Sequence, residues 1–177
     1  YAASKIMDEF LALSTFEEKR LPVTVARLFN TVGPRQVAHY GMVLPTFVKQ
    51  ALAGDPIPVH GSGEQTRCFS SVHDVIRCWD AIARSSRTVG QVYNIGSDDE
   101  ISITNLAILV REVCNSGSAI ERIPYEVAYP TGFEDMPRRV PSLSKLEAEI
   151  GFRPLTSARE IVELVVEYER DAEFVPG

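Results

Sequence analysis

Apolar side chains at Ala3, Ile6, Met7, Phe10, Leu11, Leu13 and Phe16 recur with helical spacing and without Gly or Pro. This pattern predicts a helix over 2–20, stopped before Pro22 and apolar over an arc wide enough to be buried on more than one side. The run Pro22 to Phe29 (PVTVARLF) is β-branched and nearly continuous in hydrophobicity, as expected of a strand covered on both faces. A turn in NTVGPRQ follows. Val43 to Ala53 reads as a helix ended by Gly54, Pro56 to His60 as a short strand, Gly61 to Gly63 as a turn and Thr66 to Val72 as one strand. His73 or Asp74 is placed to cap a helix that runs through Trp79 to about Ser85. Val92 to Ile95 predicts a strand, Thr104 to Cys114 a helix and Ile120 to Pro124 an edge strand. Tyr125 to Leu143 reads as loop-rich and holds Arg138 and Arg139. Ser144 with Glu147, and Ser157 with Glu160, have the spacing of capping boxes, the first helix closing at Gly151. Strand and helix alternate, which points to an α/β architecture, with Val23 to Phe29 and Val92 to Ile95 as its central strands.

The 177 residues, 45% of them hydrophobic, can bury a core unaided, and 11 Gly with 11 Pro are too few for a fibrous or low-complexity chain. A net charge of −6 argues against nucleic acid or an anionic membrane as partner, although a local basic cluster could still hold a phosphate-bearing small molecule. Cys68, Cys78 and Cys114 are odd in number and far apart, which reads as reduced core thiols of a cytoplasmic protein with no metal site. No apolar run approaches a membrane-spanning length, and no secretory leader pattern is present. The chain opens at Tyr1, already inside a helical pattern, which reads as a start within a larger fold.

Tyr1 and Lys5 are four residues apart on one helical face. An ammonium near a phenol favours the phenolate, which makes tyrosine a usable base toward a sugar or steroid hydroxyl. Taken alone, this spacing far more often describes two unrelated surface residues.

YAASK is followed in order by ARLFNTVGPR, GMVLPTFVKQALAGDPIPVHGSGEQTRCFSSVHDV, VYNIGSDDEISI and FEDMPRRVPSLSKLEAEIGFRPLT. This series resembles the extended short-chain dehydrogenase/reductase family, the NAD-dependent epimerases, dehydratases and decarboxylases of nucleotide sugars. The resemblance covers essentially the whole chain and implies the C-terminal part of a Rossmann-type α/β fold, beginning at the catalytic tyrosine and carrying the substrate-binding lobe. About 1–38 and 66–96 would belong to the Rossmann core, and about 39–65 and 97–177 mainly to the nucleotide-sugar lobe. The family's glycine-rich dinucleotide loop has no counterpart, since no GxxGxxG occurs in the sequence.

Carried over by position, Tyr1 matches the catalytic base and Lys5 the lysine that tunes it and holds the nicotinamide ribose. Phe29 falls where backbone passes close to the nicotinamide. Asn30 matches an asparagine that touches the sugar or its diphosphate, although Asn is also a good turn former before Gly33-Pro34. Arg67 and Arg139 match arginines on the substrate diphosphate, for which forked guanidinium donors are suited, while Arg138 reads better as a solvated charge. Val43, Leu44, Val59 and His60 resemble the lining of the nucleobase pocket, with His60 where an aromatic is common or simply at an exposed strand end. Asp74 is assigned to helix capping, Asn94 and Gly96 to the fold. Ser142 stands where the family usually has Asp.

The resemblance implies NAD as cofactor, a UDP-sugar or related nucleotide sugar as substrate, and a homodimer. Its decarboxylase branch places arginines where this chain has Ile6 and Met42, so elimination favours a UDP-sugar 4-epimerase. A UDP-glucuronate decarboxylase, a 4,6-dehydratase and a catalytically silent chain that binds sugar nucleotide or only assembles stay open as alternatives. A plain hydroxysteroid or alcohol dehydrogenase would have no use for Arg67 and Arg139.

Overall fold

A computed structural model describes residues 2–36, 42–128 and 136–173. In chain order the elements are α1 (Ala2–Lys19), β1 (Val25–Leu28), β2 (Thr31–Val32), α2 (Val43–Ala53), β3 (Ile57–His60), β4 (Thr66–Cys68), β5 (Ser70–Ser71) and α3 (Val72–Arg84). They continue with β6 (Val92–Ile95), β7 (Glu100–Ser102), α4 (Ile103–Cys114), β8 (Ile120–Ile123), α5 (Tyr125–Ala128), β9 (Arg138–Arg139), α6 (Ser144–Ile150) and α7 (Ala158–Glu173). The two expected central strands, β1 and β6, pair in parallel, as do β2 with β5 and β3 with β8. β4 is the middle of a three-stranded sheet, antiparallel to β7 and parallel to β9. The single strand expected over Thr66 to Val72 is therefore broken at Phe69, because β4 and β5 pair with different partners.

Two apolar clusters hold the chain together. One joins α2, α4 and α7 over β3, with Phe47, Val48, Ile57, Leu106, Val110 and Val162 at its centre. The other packs α3 and α6 on β6 through Val75, Cys78, Ile82, Tyr93, Ile95 and Leu146. All three cysteines are buried and unpaired, and burial pushes the Cys68 and Cys78 thiols up to about 11. Between β3 and β4 the chain turns through Gly61 and Gly63 at φ +68° and +73°. A Cβ on the first would strike the Tyr125 ring, and on the second the Thr104 hydroxyl, so both the dihedral and the space require glycine.

Three local expectations are corrected. The first concerns α1, which buries none of its residues. Ile6, Met7, Phe10 and Leu11 are 62–74% exposed, because the described residues give α1 few supports, among them Phe16 against Gly90 and Glu9 paired with Arg27 at 2.6 Å. The second is the Ser144–Glu147 capping box, which does not form. The helix is entered one residue earlier, at Leu143, whose carbonyl accepts from Glu147 N, so Ser144 lies inside the first turn. The expected Ser157–Glu160 box does form, with Ser157 N donating to Glu160 and Glu160 N to Ser157 Oγ.

The third correction is Asp74. Ser71 caps α3 by accepting from His73 N, while the Asp74 carboxylate, 8% exposed, leaves the helix end altogether. Its Oδ2 accepts from Leu155 N, Thr156 N and Thr156 Oγ1 at 2.7–3.2 Å, tying α3 to the segment that enters α7. Burial pushes this carboxyl up, but the Thr156 hydroxyl, the two backbone donors and the Arg77 charge outweigh it and hold the group below the usual aspartate range. A carboxyl that is a stronger acid when folded contributes its stability in full above the unfolded pKa and loses it as pH falls through the folded value. Asp74→Ala is expected to destabilise the intact protein by about 1.5–3 kcal/mol near neutrality, the scale of hydrogen bonds to a charge. Denaturant midpoints measured across pH check it: the gap between wild type and variant should close in acid.

Candidate functional site

β1 delivers the chain from the sheet to the site. Phe29, just past its carboxyl end, donates its N–H to Ile95 O at 2.9 Å and is half-buried. The chain then turns at Asn30 with φ +33°, a left-handed conformation that Asn tolerates better than most side chains. Asn30 O accepts from Ser70 N, which brings the end of β1 against the β4–β5 segment.

On that segment lies Arg67, and β9 beside it carries Arg139. Parallel pairing of β4 with β9 sets Arg67 directly opposite Arg139, and Thr66 opposite Arg138. Strand alternation puts Arg67 and Arg139 on one face of the sheet and Arg138 on the other. Arg138 is held by Glu100 at 3.0 Å, and Glu100 also accepts from Thr66 Oγ1. Those two bonds hold the Glu100 carboxyl below its usual range. Arg67 Nη1 donates to the carbonyls of Thr66 and Met136 at 2.6 and 2.8 Å, and Arg139 Nη2 donates to Asn30 Oδ1 at 2.5 Å. Like charges directly opposite one another in a sheet repel, so two arginines in register need anchors, and carbonyls brace Arg67 while an amide oxygen braces Arg139.

The remaining candidates lie on other elements. Lys5 sits on the first turn of α1 with Nζ on Asp8 at 2.8 Å, and it is exposed. Tyr1 lies outside the described residues. Leu44 and Val59 are 1% and 0% exposed and belong to the larger apolar cluster, whereas Val43 and His60 are half-buried at the ends of α2 and β3. The His60 carbonyl accepts from Gln65 Nε2, which also donates to the Tyr125 hydroxyl at 2.8 Å. Asn94 donates to Ser142 O, and Gly96 leaves room for Phe29 and Pro141, so both serve the framework.

Sequence reasoning missed two features here. Gln36 donates to Thr31 O, yet Gln36 Oε1 and Thr31 Oγ1 are buried without a hydrogen-bond partner among the described residues. Their turn signal masked any other role. The carbonyl anchors of Arg67 were also unreadable, since backbone acceptors carry no residue signature. Among the described residues no group of three or more His, Cys, Asp or Glu could hold a metal, and no helix is long and apolar enough to cross a membrane.

Residues 1–165 match the family model described as GDP-mannose 4,6 dehydratase. The chain is 38% identical over 174 residues to a UDP-N-acetyl-alpha-D-glucosaminuronate decarboxylase of Bacillus cytotoxicus, covering 98% of this chain and 54% of that protein. Among solved structures it is similar to Bordetella bronchiseptica WbmF in complex with NAD+ and UDP, with 30% identity, TM-score 0.82 and coverage of 98% and 53%. It is also similar to a Thermotoga maritima UDP-glucose 4-epimerase with UDP-glucose, with 26% identity, TM-score 0.88 and coverage of 98% and 54%. The chain spans about half the length of this relative and of the two solved proteins. By its match to the family model, by these relatives and by its mixed α/β fold, this chain belongs to the extended short-chain dehydrogenase/reductase family of NAD-dependent nucleotide-sugar epimerases and dehydratases.

Proposed function

We propose that the intact protein binds a UDP-sugar and oxidises it at C4 to a 4-keto sugar, and that it is a UDP-sugar 4-epimerase. The observation that carries this reading is the register of Arg67 with Arg139, which supplies two guanidiniums to one diphosphate. In this reading 1–38 and 66–96 carry the catalytic core, and 39–65 and 97–177 mainly the sugar-nucleotide lobe. His60 and Val43 edge the nucleobase site, with Leu44 and Val59 packed behind them.

The residues present fit the nicotinamide end of NAD. Lys5 offers an exposed ammonium to ribose hydroxyls, and Phe29 lies just beyond the carboxyl end of a parallel strand, the edge at which doubly wound sheets hold ligands. NAD, when bound, supplies the acceptor for the C4 hydride and its later donor. The chain's own work is then proton transfer and orientation: Tyr1 takes the proton from the C4 hydroxyl, Lys5 favours the phenolate, and the arginine face fixes the diphosphate so that the sugar reaches Tyr1.

Decarboxylation of a UDP-uronate is the second reading, favoured by the 38% identical decarboxylase. Against it stand Ile6 and Met42, both apolar and exposed, at the positions where the decarboxylase branch is expected to carry arginines. Incubating the intact protein with UDP-glucose or UDP-glucuronate and following the products by NMR tests both. A C4-inverted sugar supports epimerisation and CO2 release with a pentose product supports decarboxylation, while unchanged substrates would reject the assignment.

We also propose a homodimer built on the exposed apolar face of α1, where Ile6, Met7, Phe10 and Leu11 form two i,i+4 pairs. Leu11→Glu is expected to convert the intact protein to monomer in sedimentation. A monomeric wild type, or a variant that stays dimeric, would show that this face is covered from within the same polypeptide.

A further inference from the structure

We propose that the ion pair of Glu9 with Arg27 is a positioning device that fixes the angle of α1 on β1 and so aims Tyr1 and Lys5 at the nicotinamide edge of the sheet. The inference rests on the reading of Tyr1 as base and Lys5 as its partner, and it adds two residues that act through them.

Little else among the described residues holds this end of α1. Of residues 2–11, Glu9 is the one that is not exposed. Further along, the Phe16 ring closes on Gly90 so tightly that a Cβ there would strike it, which pins the helix in its C-terminal half. One pinned point leaves a helix free to swing. Arg27 supplies the second: its Nε donates to Glu9 Oε2 at 2.8 Å and its Nη2 to Glu9 Oε1 at 2.6 Å, a two-pronged contact from β1 to α1. A fork of two such bonds sets direction as well as distance, which a lysine at the same place could not do.

The place of the pair on both elements gives it reach into the site. Tyr1, Lys5 and Glu9 recur at intervals of four, so they share one side of the helix, and holding Glu9 on β1 turns that side toward the strand. Arg27 in turn stands two residues before Phe29, near the carboxyl end of β1 where the nicotinamide is proposed to lie. Stability is a poor reason for this pair. Arg27 is 54% and Glu9 23% exposed, and ion pairs open to water in this way add little to folding. The pairs Lys5–Asp8 and Arg20–Glu17 link neighbours within the helix, whereas Glu9–Arg27 crosses to another element. Its hydrogen bonds hold the Glu9 carboxyl below its usual range, so the tether stays charged near neutrality. For a proton acceptor, by contrast, a displacement of about 1 Å can cost on the order of a hundredfold in rate.

The test measures turnover, UDP affinity and the thermal midpoint of the intact protein. Glu9→Gln and Arg27→Lys should each lower kcat on the order of tenfold. UDP affinity should stay within about twofold and the midpoint should change little. The double variant should be no slower than the slower single one, since both substitutions remove the same tether. Should Arg27→Lys lower the midpoint, Glu9→Gln, which keeps the length of the side chain, carries the readout. Glu17→Gln is the control: it breaks the pair with Arg20 at the far end of α1 and should leave kcat as it is. Wild-type kcat in both the Glu9 and Arg27 variants would overturn the proposal. So would losses that multiply in the double variant, or a fall in UDP affinity as large as the fall in kcat, which would mark a general loosening. If Tyr1→Phe keeps its turnover, the base assignment fails first and takes the tether with it. A silent Tyr1→Phe beside fully active Glu9→Gln and Arg27→Lys would reject the tether alone.

Discussion

Replacing Tyr1 by Phe in the intact protein is expected to lower turnover by about 10²-fold or more, the contribution of a positioned general base, while UDP-sugar affinity changes little. The substitution removes one oxygen and leaves the ring, so the contacts proposed for Arg67 and Arg139 on the far part of the substrate should be untouched. Lys5 on the first turn of α1 is four residues from Tyr1 and bears the ammonium proposed to favour the phenolate. Turnover and affinity should therefore separate: Tyr1→Phe acts on kcat, and the arginine variants act on binding. Steady-state kinetics with a separate UDP titration distinguish the two, and a Tyr1→Phe enzyme retaining more than a few per cent of wild-type turnover would remove Tyr1 from the mechanism.

Elements whose signal is local were legible in the sequence. α2 runs from Val43 to Ala53 and ends at Gly54 in the left-handed conformation, as the apolar spacing and the glycine require. Strands β1 and β6, though not their pairing, and the Ser157–Glu160 box were readable for the same reason. What escaped was set by long-range partners. Ser144 and Glu147 have capping-box spacing, but where α6 starts is decided by how Leu146 is drawn into the cluster on β6. Asp74 sits at a helix start, yet donors about eighty residues away at Leu155 and Thr156 take its carboxylate. Strands as short as β7 and β9 carry no periodicity, and so Arg67 and Arg139 could be named as candidates without anything in the sequence placing them opposite each other.

That register carries the second large expected effect. Arg67→Ala and Arg139→Ala are each expected to weaken UDP binding by roughly 1.5–3 kcal/mol, the range of a charge-assisted hydrogen bond to an anionic oxygen. Arg138→Ala is the internal control: its side chain lies on the opposite face and is already paired with Glu100, so its removal should change UDP affinity by less than about 0.5 kcal/mol. Because Arg67 and Arg139 face one another, their effects should couple, and the double variant should depart from the sum of the single ones. This chain carries a net charge of −6, so attraction of a diphosphate is expected to depend on the local arginine pair. Binding of UDP by the wild type should weaken as salt is added, and the dependence should flatten in the double variant, where the charges responsible are gone. Calorimetric titration of UDP at two ionic strengths measures both effects. Equal affinities for wild type and both single variants would return the two arginines to the solvated surface and leave the diphosphate without a binding site on this sheet.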